Sequence, residues 1–186
     1  MKIPLILLTL TLSTPLLADY KIQFTQSNIN VPEKTGPTGT LHENGVTVQC
    51  LGMEDGTEFS LNGKTYRVVY SQADARTYAA NACTSNMTNF SNLFERFEEF
   101  NEDISHWDTA QVTTFSDLFF YAYKFNQDIS HWNVSNVRNM GDSFRYANRF
   151  NQDLSSWCFP YISSPPSLYS AGATDWTLPK PRFGSC

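Results

Sequence analysis

The stretch Asn101–Phe125, NEDISHWDTAQVTTFSDLFFYAYKF, is followed without a gap by Asn126–Phe150, NQDISHWNVSNVRNMGDSFRYANRF. Twelve of the 25 aligned positions are identical, among them Asn101/Asn126, Asp103/Asp128, Ile104/Ile129, His106/His131, Trp107/Trp132, Phe119/Phe144, Tyr121/Tyr146 and Phe125/Phe150. Asn151, Asp153, Leu154, Ser155 and Trp157 open a third unit in the same register. Upstream, Thr84, Thr88, Phe90, Ser91, Leu93, Phe94 and Phe100 precede their equals by 25 residues. A fixed period of this length predicts a stacked solenoid whose units bury their apolar faces only against each other.

Within a unit, Ile129-x-x-Trp132-x-Val134 has the spacing of a leucine-rich repeat, with a short strand near 132–134. Val137, Met140, Phe144 and Ala147 then recur three or four apart, the period of a helix face. The expected fold class is therefore α+β: short strand–turn–helix units in a leucine-rich-repeat-like solenoid. Phe94, Phe119 and Phe144 are expected to stack along the helix layer, and Trp107, Trp132 and Trp157 along the strand side. A core ladder is preferred over a cofactor box because these rings recur with the unit.

The flanks read differently. Met1-Lys2 is a short positive start, Ile3–Leu17 is apolar, and Ala18 precedes Asp19, which together predict a secretory signal peptide over 1–18. Residues 19–81 form a lead-in and a β-hairpin cap. Asn44-Gly45 and Asn62-Gly63 each lie between alternating residues and predict two-residue hairpins. Ser71 with Asp74 predicts a capping box that opens a helix running to about Ala80. Repeats occupy 82–157, and 158–186 form a C-terminal cap in which Pro179 and Pro181 are expected to end strand pairing.

Composition narrows the partners. The 186 residues carry a net charge of −5, 15% aromatic and 17% charged residues. That negative balance argues against nucleic acid as a partner, since phosphate binding needs a basic face. Four cysteines (Cys50, Cys83, Cys158 and Cys186) with no CxxC suit an oxidising compartment and disulfides. Pairing Cys50 with Cys83 and Cys158 with Cys186 closes one loop of about 30 residues at each end, each contributing about 3 kcal/mol in the chain-entropy model.

Repeats reading FNQDISHWNVSNVRNM, as Phe125–Met140 do, closely resemble the BspA-like surface-protein repeat family of bacteria. The run Trp157–Ile162, with Pro181, Gly184 and Cys186 after it, resembles that family's closing segment and supports the Cys158–Cys186 pairing. The region of Cys50 and Asn62–Tyr66 resembles its usual lead-in. The resemblance implies an exported protein, secreted, at the cell surface or in the periplasm, with a leucine-rich-repeat-like fold. Its implied role is adhesion or recognition of a protein or glycan on a cell surface.

The ladders Asn101/Asn126/Asn151 and Asp103/Asp128/Asp153 have two readings. A row of carboxylates can bind Ca²⁺, and Asn and Asp at turns satisfy backbone N–H groups. The second is the expectation. His106 and His131 could hold a transition metal, although Ser156 takes that slot in the third unit. Glu98-Glu99 and Glu102-Asp103 admit a paired-carboxylate hydrolase only as a further alternative. No catalytic residue, cofactor or metal site is assigned. The expected partner surface is the concave strand face, with His106, Asp108, His131 and Asn133 pointing outward around the tryptophans.

Overall fold

A computed structural model describes residues 38–184, all within one compact unit bounded by Pro37 and Cys186. The expected signal peptide over 1–18, the start of the lead-in and Cys186 lie outside the described residues.

The N-terminal part is built from small sheets. Strands β1 (Thr40–Leu41) and β2 (Val48–Gln49) pair antiparallel, as do β3 (Glu58–Leu61) and β4 (Lys64–Val68). Strand β5 (Ala82–Cys83) adds to β4 in parallel through Arg67↔Ala82 and Val68↔Cys83. Asn62 and Gly63 both take left-handed angles, φ 51° and 80°, the pair that a tight hairpin with native twist requires. The Asn44-Gly45 expectation needs correction. The β1–β2 connection spans six residues, 42–47, closed by His42 N–H to the Thr47 carbonyl at 2.8 Å. Asn44 Oδ1 organises this loop from within, accepting from the N–H groups of Val46 and Thr47 at 3.0 Å each.

Helix α1 (Gln72–Thr77) opens as the sequence predicts. Ser71 Oγ accepts from Asp74 N–H at 3.0 Å and donates to Asp74 Oδ2 at 2.6 Å. It ends three residues short of the expected Ala80 and passes into a 3-10 turn over Ala79–Asn81. Its side chains serve the next segment. Gln72 Nε2 donates to the carbonyls of Asn89 and Ser91, and Arg76 donates to those of Asn92 and Leu93. These bonds satisfy backbone acceptors at an otherwise open edge.

The strand–turn–helix solenoid expected from the sequence is contradicted. Among the described residues 84–157 there is no helix and no strand, only isolated bridges Asn89↔Thr114 and Thr114↔Asn139. Among the described residues the regular structure is confined to small sheets, one six-residue helix and the 3-10 turn that follows it.

The reason lies in the backbone angles. Asn92 and Arg96, Asp117 and Tyr121, and Asp142 and Tyr146 have φ between 52° and 59°. A left-handed residue at every fourth position cannot belong to a right-handed helix. The segment is instead a run of tight turns, with Leu118 N–H bonded to the Phe115 carbonyl and Phe120 to Asp117. The four-residue period of these turns lies so close to 3.6 that its apolar positions mimic a helix face.

Alternate amides point away from the turn. Phe90, Asn92, Phe94 and Arg96 donate to the carbonyls of Thr114, Ser116, Leu118 and Phe120 at 2.7–3.1 Å. Phe115, Asp117, Phe119 and Tyr121 donate to Asn139, Gly141, Ser143 and Arg145 at 2.7–3.0 Å. Phe144 and Tyr146 continue to Tyr169 and Ala171.

Rings fill the interior. Trp107, Trp132 and Trp157 stack with centroids 6.2 Å apart and interplanar angles of 5° and 12°. Each indole N–H reaches a carbonyl 28 residues earlier (Ala79, Ile104 and Ile129) at 3.0–3.2 Å. Phe94 stacks on Phe119 at 5.7 Å, and Phe125 joins Phe100 to Phe150 at 5.7 and 5.8 Å. A smaller cluster of Val48, Cys50, Met53, Tyr66, Val68 and Cys83 surrounds the Cys50–Cys83 disulfide, which closes a 33-residue separation.

At the far end, β6 (Cys158–Phe159) pairs in parallel with β7 (Arg182–Phe183). Pro179 and Pro181 therefore do not end strand pairing. Proline removes only its own N–H, and Arg182, directly after it, donates to the Trp157 carbonyl at 2.9 Å. Cys158 is disulfide-bonded, and its expected partner, Cys186, lies outside the described residues.

Trp132 is 3% exposed, stacked on both sides and hydrogen-bonded. Trp132→Ala is expected to cost about 3–5 kcal/mol in urea unfolding. A loss under about 1 kcal/mol would contradict this packing.

Candidate functional site

The four residues expected on one outward face separate into two environments. His131 and Asn133 are exposed, whereas His106 and Asp108 are buried at 6% and 4% exposure. The outward placement of His106 and Asp108 is thus corrected. The cause is the two N-terminal sheets, whose strands β2 and β4 cover this face at its first pass. Val48 N–H donates to the His106 carbonyl at 2.8 Å, the Tyr66 ring lies 5.4 Å from the imidazole, and Nε2 faces the Ala82 carbonyl at 3.1 Å. One pass later no such sheet is present, and His131 meets solvent.

Asp108 is held from two sides. Its Oδ1 accepts from Ala110 N–H at 3.0 Å and its Oδ2 from Ser85 Oγ–H at 2.8 Å. Ser85 Oγ in turn accepts from Cys50 N–H at 3.0 Å, which ties the turn to the disulfide-bonded hairpin region. Asn133, 25 residues later, makes the corresponding turn with one atom. Its Oδ1 accepts from Ser135 N–H at 3.0 Å and from Ser135 Oγ–H at 2.7 Å.

Asp108, His131 and Asn133 come together with the β1–β2 hairpin around one small open cleft of about 100 Å³. The hairpin contributes His42, Asn44, Thr47 and Gln49, and Thr109 and Ala110 complete the lining. That volume is the liquid share of about three waters, well below the roughly 300–1,000 Å³ of a drug-sized pocket. The cleft carries no Lys or Arg, and its lining is amide, hydroxyl, imidazole and one buried carboxylate. His106 faces the hairpin core instead and is not part of it.

Sequence reasoning missed the hairpin residues, because nothing local connects position 42 with position 131. Reading Asn44-Gly45 as a two-residue turn hid the longer loop that forms one wall.

The Asn ladder is structural. Asn101 Oδ1 accepts from Asn126 N–H and Asn126 Oδ1 from Asn151 N–H, both at 2.8 Å, and Asn151 Oδ1 accepts from Thr177 and Leu178. Asp103, Asp128 and Asp153 each accept at 2.9 Å from the N–H two residues on. Hydrogen bonds from Ser155 lower the Asp153 pKa. Burial pushes the Asp103 carboxyl up, but hydrogen bonds from Ser105 and the nearby His106 and Lys64 outweigh it and leave its pKa below the ordinary value. Among the described residues no group of three or more His, Cys, Asp or Glu is placed to hold a metal ion. Nor is any described helix long and apolar enough to cross a membrane.

The fold and cleft define a disulfide-bonded protein of small sheets and stacked turns around an aromatic core. The family model described as "Mycoplasma protein of unknown function, DUF285" matches residues 66–173, more than half of the chain, and the chain belongs to that family. The match is consistent with the BspA-like resemblance seen in the sequence. No curated protein and no solved structure shows significant similarity to the chain.

Burial, with Lys64 adding to it, pushes the His106 pKa down to about 4, and Asp103 and the Ala82 carbonyl only partly oppose this. A pKa lower in the folded state than the unfolded value near 6.5 means that the unfolded chain binds more protons in between. The stabilisation is complete above pH 6.5 and is lost as pH falls toward 4, the loss reaching about 3 kcal/mol at the acid limit. Urea unfolding at pH 7 and pH 4.5 is expected to show a drop that His106→Gln reduces. An identical drop in that variant would contradict the assignment.

Proposed function

We propose that the protein is an exported, non-catalytic recognition module of the adhesion type, engaging a protein or glycan at a cell surface through the cleft beside the N-terminal hairpin. The observation that carries this reading is the convergence of Asp108, His131 and Asn133 with His42, Asn44 and Gln49 on one solvent-open cleft. Exposed amide and imidazole groups suit hydrogen bonding to a partner's polar surface. A cleft this small anchors one side chain or sugar unit and leaves the surrounding rim to add area.

Export is supported by the Cys50–Cys83 disulfide, which persists in oxidising compartments. The signal peptide expected over 1–18 and the BspA-like resemblance point the same way. A net charge of −5 disfavours nucleic acid as the partner.

The test compares the oxidised wild type with the double variant His131→Ala/Asn133→Ala in binding to intact host cells and to a glycan array. The account expects a saturable target whose affinity falls at least about tenfold in the variant, about 1.4 kcal/mol, while the melting temperature falls only by the few degrees that loss of the Ser135 turn bonds costs. Equal binding by both proteins would remove the cleft from the interface.

A further inference from the structure

We propose that the cleft receives a primary ammonium group on a thin alkyl chain, as presented by a lysine side chain of a partner protein or by a free alkylamine, with Asp108 as its counter-ion. This deepens the recognition reading and rests on it, since it names what the same cleft takes.

Asp108 carries a buried charge for which the fold supplies no cation among the described residues. Asp108 is 4% exposed, and removing a carboxylate from water is costly unless a cation and hydrogen bonds compensate it. Hydrogen bonds are present, from Ala110 and Ser85. A cation is not. None of the ion pairs among the described residues includes Asp108.

The turn does not explain the charge. Asn133 builds the same turn 25 residues on with a neutral amide, using only Oδ1. The negative charge at 108 is therefore surplus to the turn, and Asp108 is one of the residues that line the open cleft.

The rest of the lining selects the ligand. Asn44, Gln49, Thr47, Thr109 and Asn133 offer neutral polar groups, and no lining residue is a Lys or Arg that would repel a cation. A divalent metal is disfavoured, because no three His, Cys, Asp or Glu among the described residues are placed to hold one. An ammonium group is a compact point charge with three donors, whereas guanidinium is a wide planar fork that seeks both carboxylate oxygens at once. Each Asp108 oxygen already accepts one bond, so about two of its four lone-pair sites remain. A cleft of about 100 Å³ suits an unbranched chain with a small head.

The experiment titrates the oxidised protein with Nα-acetyl-lysine methylamide and with n-butylammonium, observed by chemical-shift changes at Ala110, His131 and Asn133. The Nε-acetylated lysine derivative serves as the neutral control. The expected result is saturable binding with Kd on the order of 1 mM for at least one cation, and at least tenfold weaker binding of the control. Tighter binding of the peptide-like probe assigns the cleft to lysine on a protein, and tighter binding of butylammonium to a free amine.

Asp108→Asn is expected to lose the binding at least tenfold. Its amide oxygen retains the Ala110 bond and its amide nitrogen can donate to Ser85 Oγ. If that variant proves unstable, the neutral control on the wild type still decides. No binding at 20-fold above that Kd, or equal binding of charged and acetylated probes, overturns the proposal. Cell or glycan binding that still depends on His131 and Asn133 would then leave the recognition reading standing, whereas its independence of them would sink both.

Discussion

Every other amide in the segments 90–96 and 115–121 donates to a carbonyl 24 residues further along the chain rather than to its own turn. Everything else in the central region follows from that bond. A residue whose N–H points along the stack cannot also close an i→i−4 ring, so helix is excluded. A turn that returns its alternate amides to one side needs left-handed residues at regular intervals, and these are Asn92, Arg96, Asp117, Tyr121, Asp142 and Tyr146. Such angles cost about 1–2 kcal/mol each outside glycine. Here they are offset by paired backbone groups and by ring contacts such as Tyr121 on Tyr146 at 4.8 Å. The fixed offset also places like side chains over like, which is why tryptophan stacks on tryptophan and phenylalanine on phenylalanine.

A stack of this kind leaves unpaired backbone groups at its ends, and the chain treats both. At the start, Gln72 and Arg76 of α1 cover the carbonyls of Asn89, Ser91, Asn92 and Leu93. At the finish, β7 returns beside β6, and Trp176 donates to the Gln152 carbonyl at 3.0 Å. The N-terminal sheets have a second consequence. They cover the face at His106 and leave His131 exposed, and the β1–β2 hairpin forms one wall of the cleft that His131 lines.

Much of this was legible in the sequence, and the errors share one origin. The aromatic ladders, the capping box at Ser71, the Asn62-Gly63 hairpin and the Cys50–Cys83 pairing are encoded by identity or short spacing, and the structure contains them. The helix was misread because a four-residue turn period and a 3.6-residue helix period give the same apolar positions over one short segment. The sign of φ at Asp117 or Tyr121, which separates the two, leaves no mark in hydrophobicity. Asp and Asn at 117, 142 and 92 tolerate left-handed angles, and that was the available signal. The face containing His106 was misplaced because its cover comes from β2 and β4, far away in sequence. The same distance hid His42 and Gln49. Long-range contacts between a non-repeating cap and a regular array are not written in the period of the array.

The most direct test of this account is the detection of scalar couplings across hydrogen bonds in the ¹⁵N,¹³C-labelled protein. The account predicts cross-peaks from the Phe119 amide to the Ser143 carbonyl, and from the Phe94 amide to the Leu118 carbonyl. Cross-peaks from Phe119 to the Phe115 carbonyl, or from Phe94 to the Phe90 carbonyl, would show a helix in these segments and contradict it.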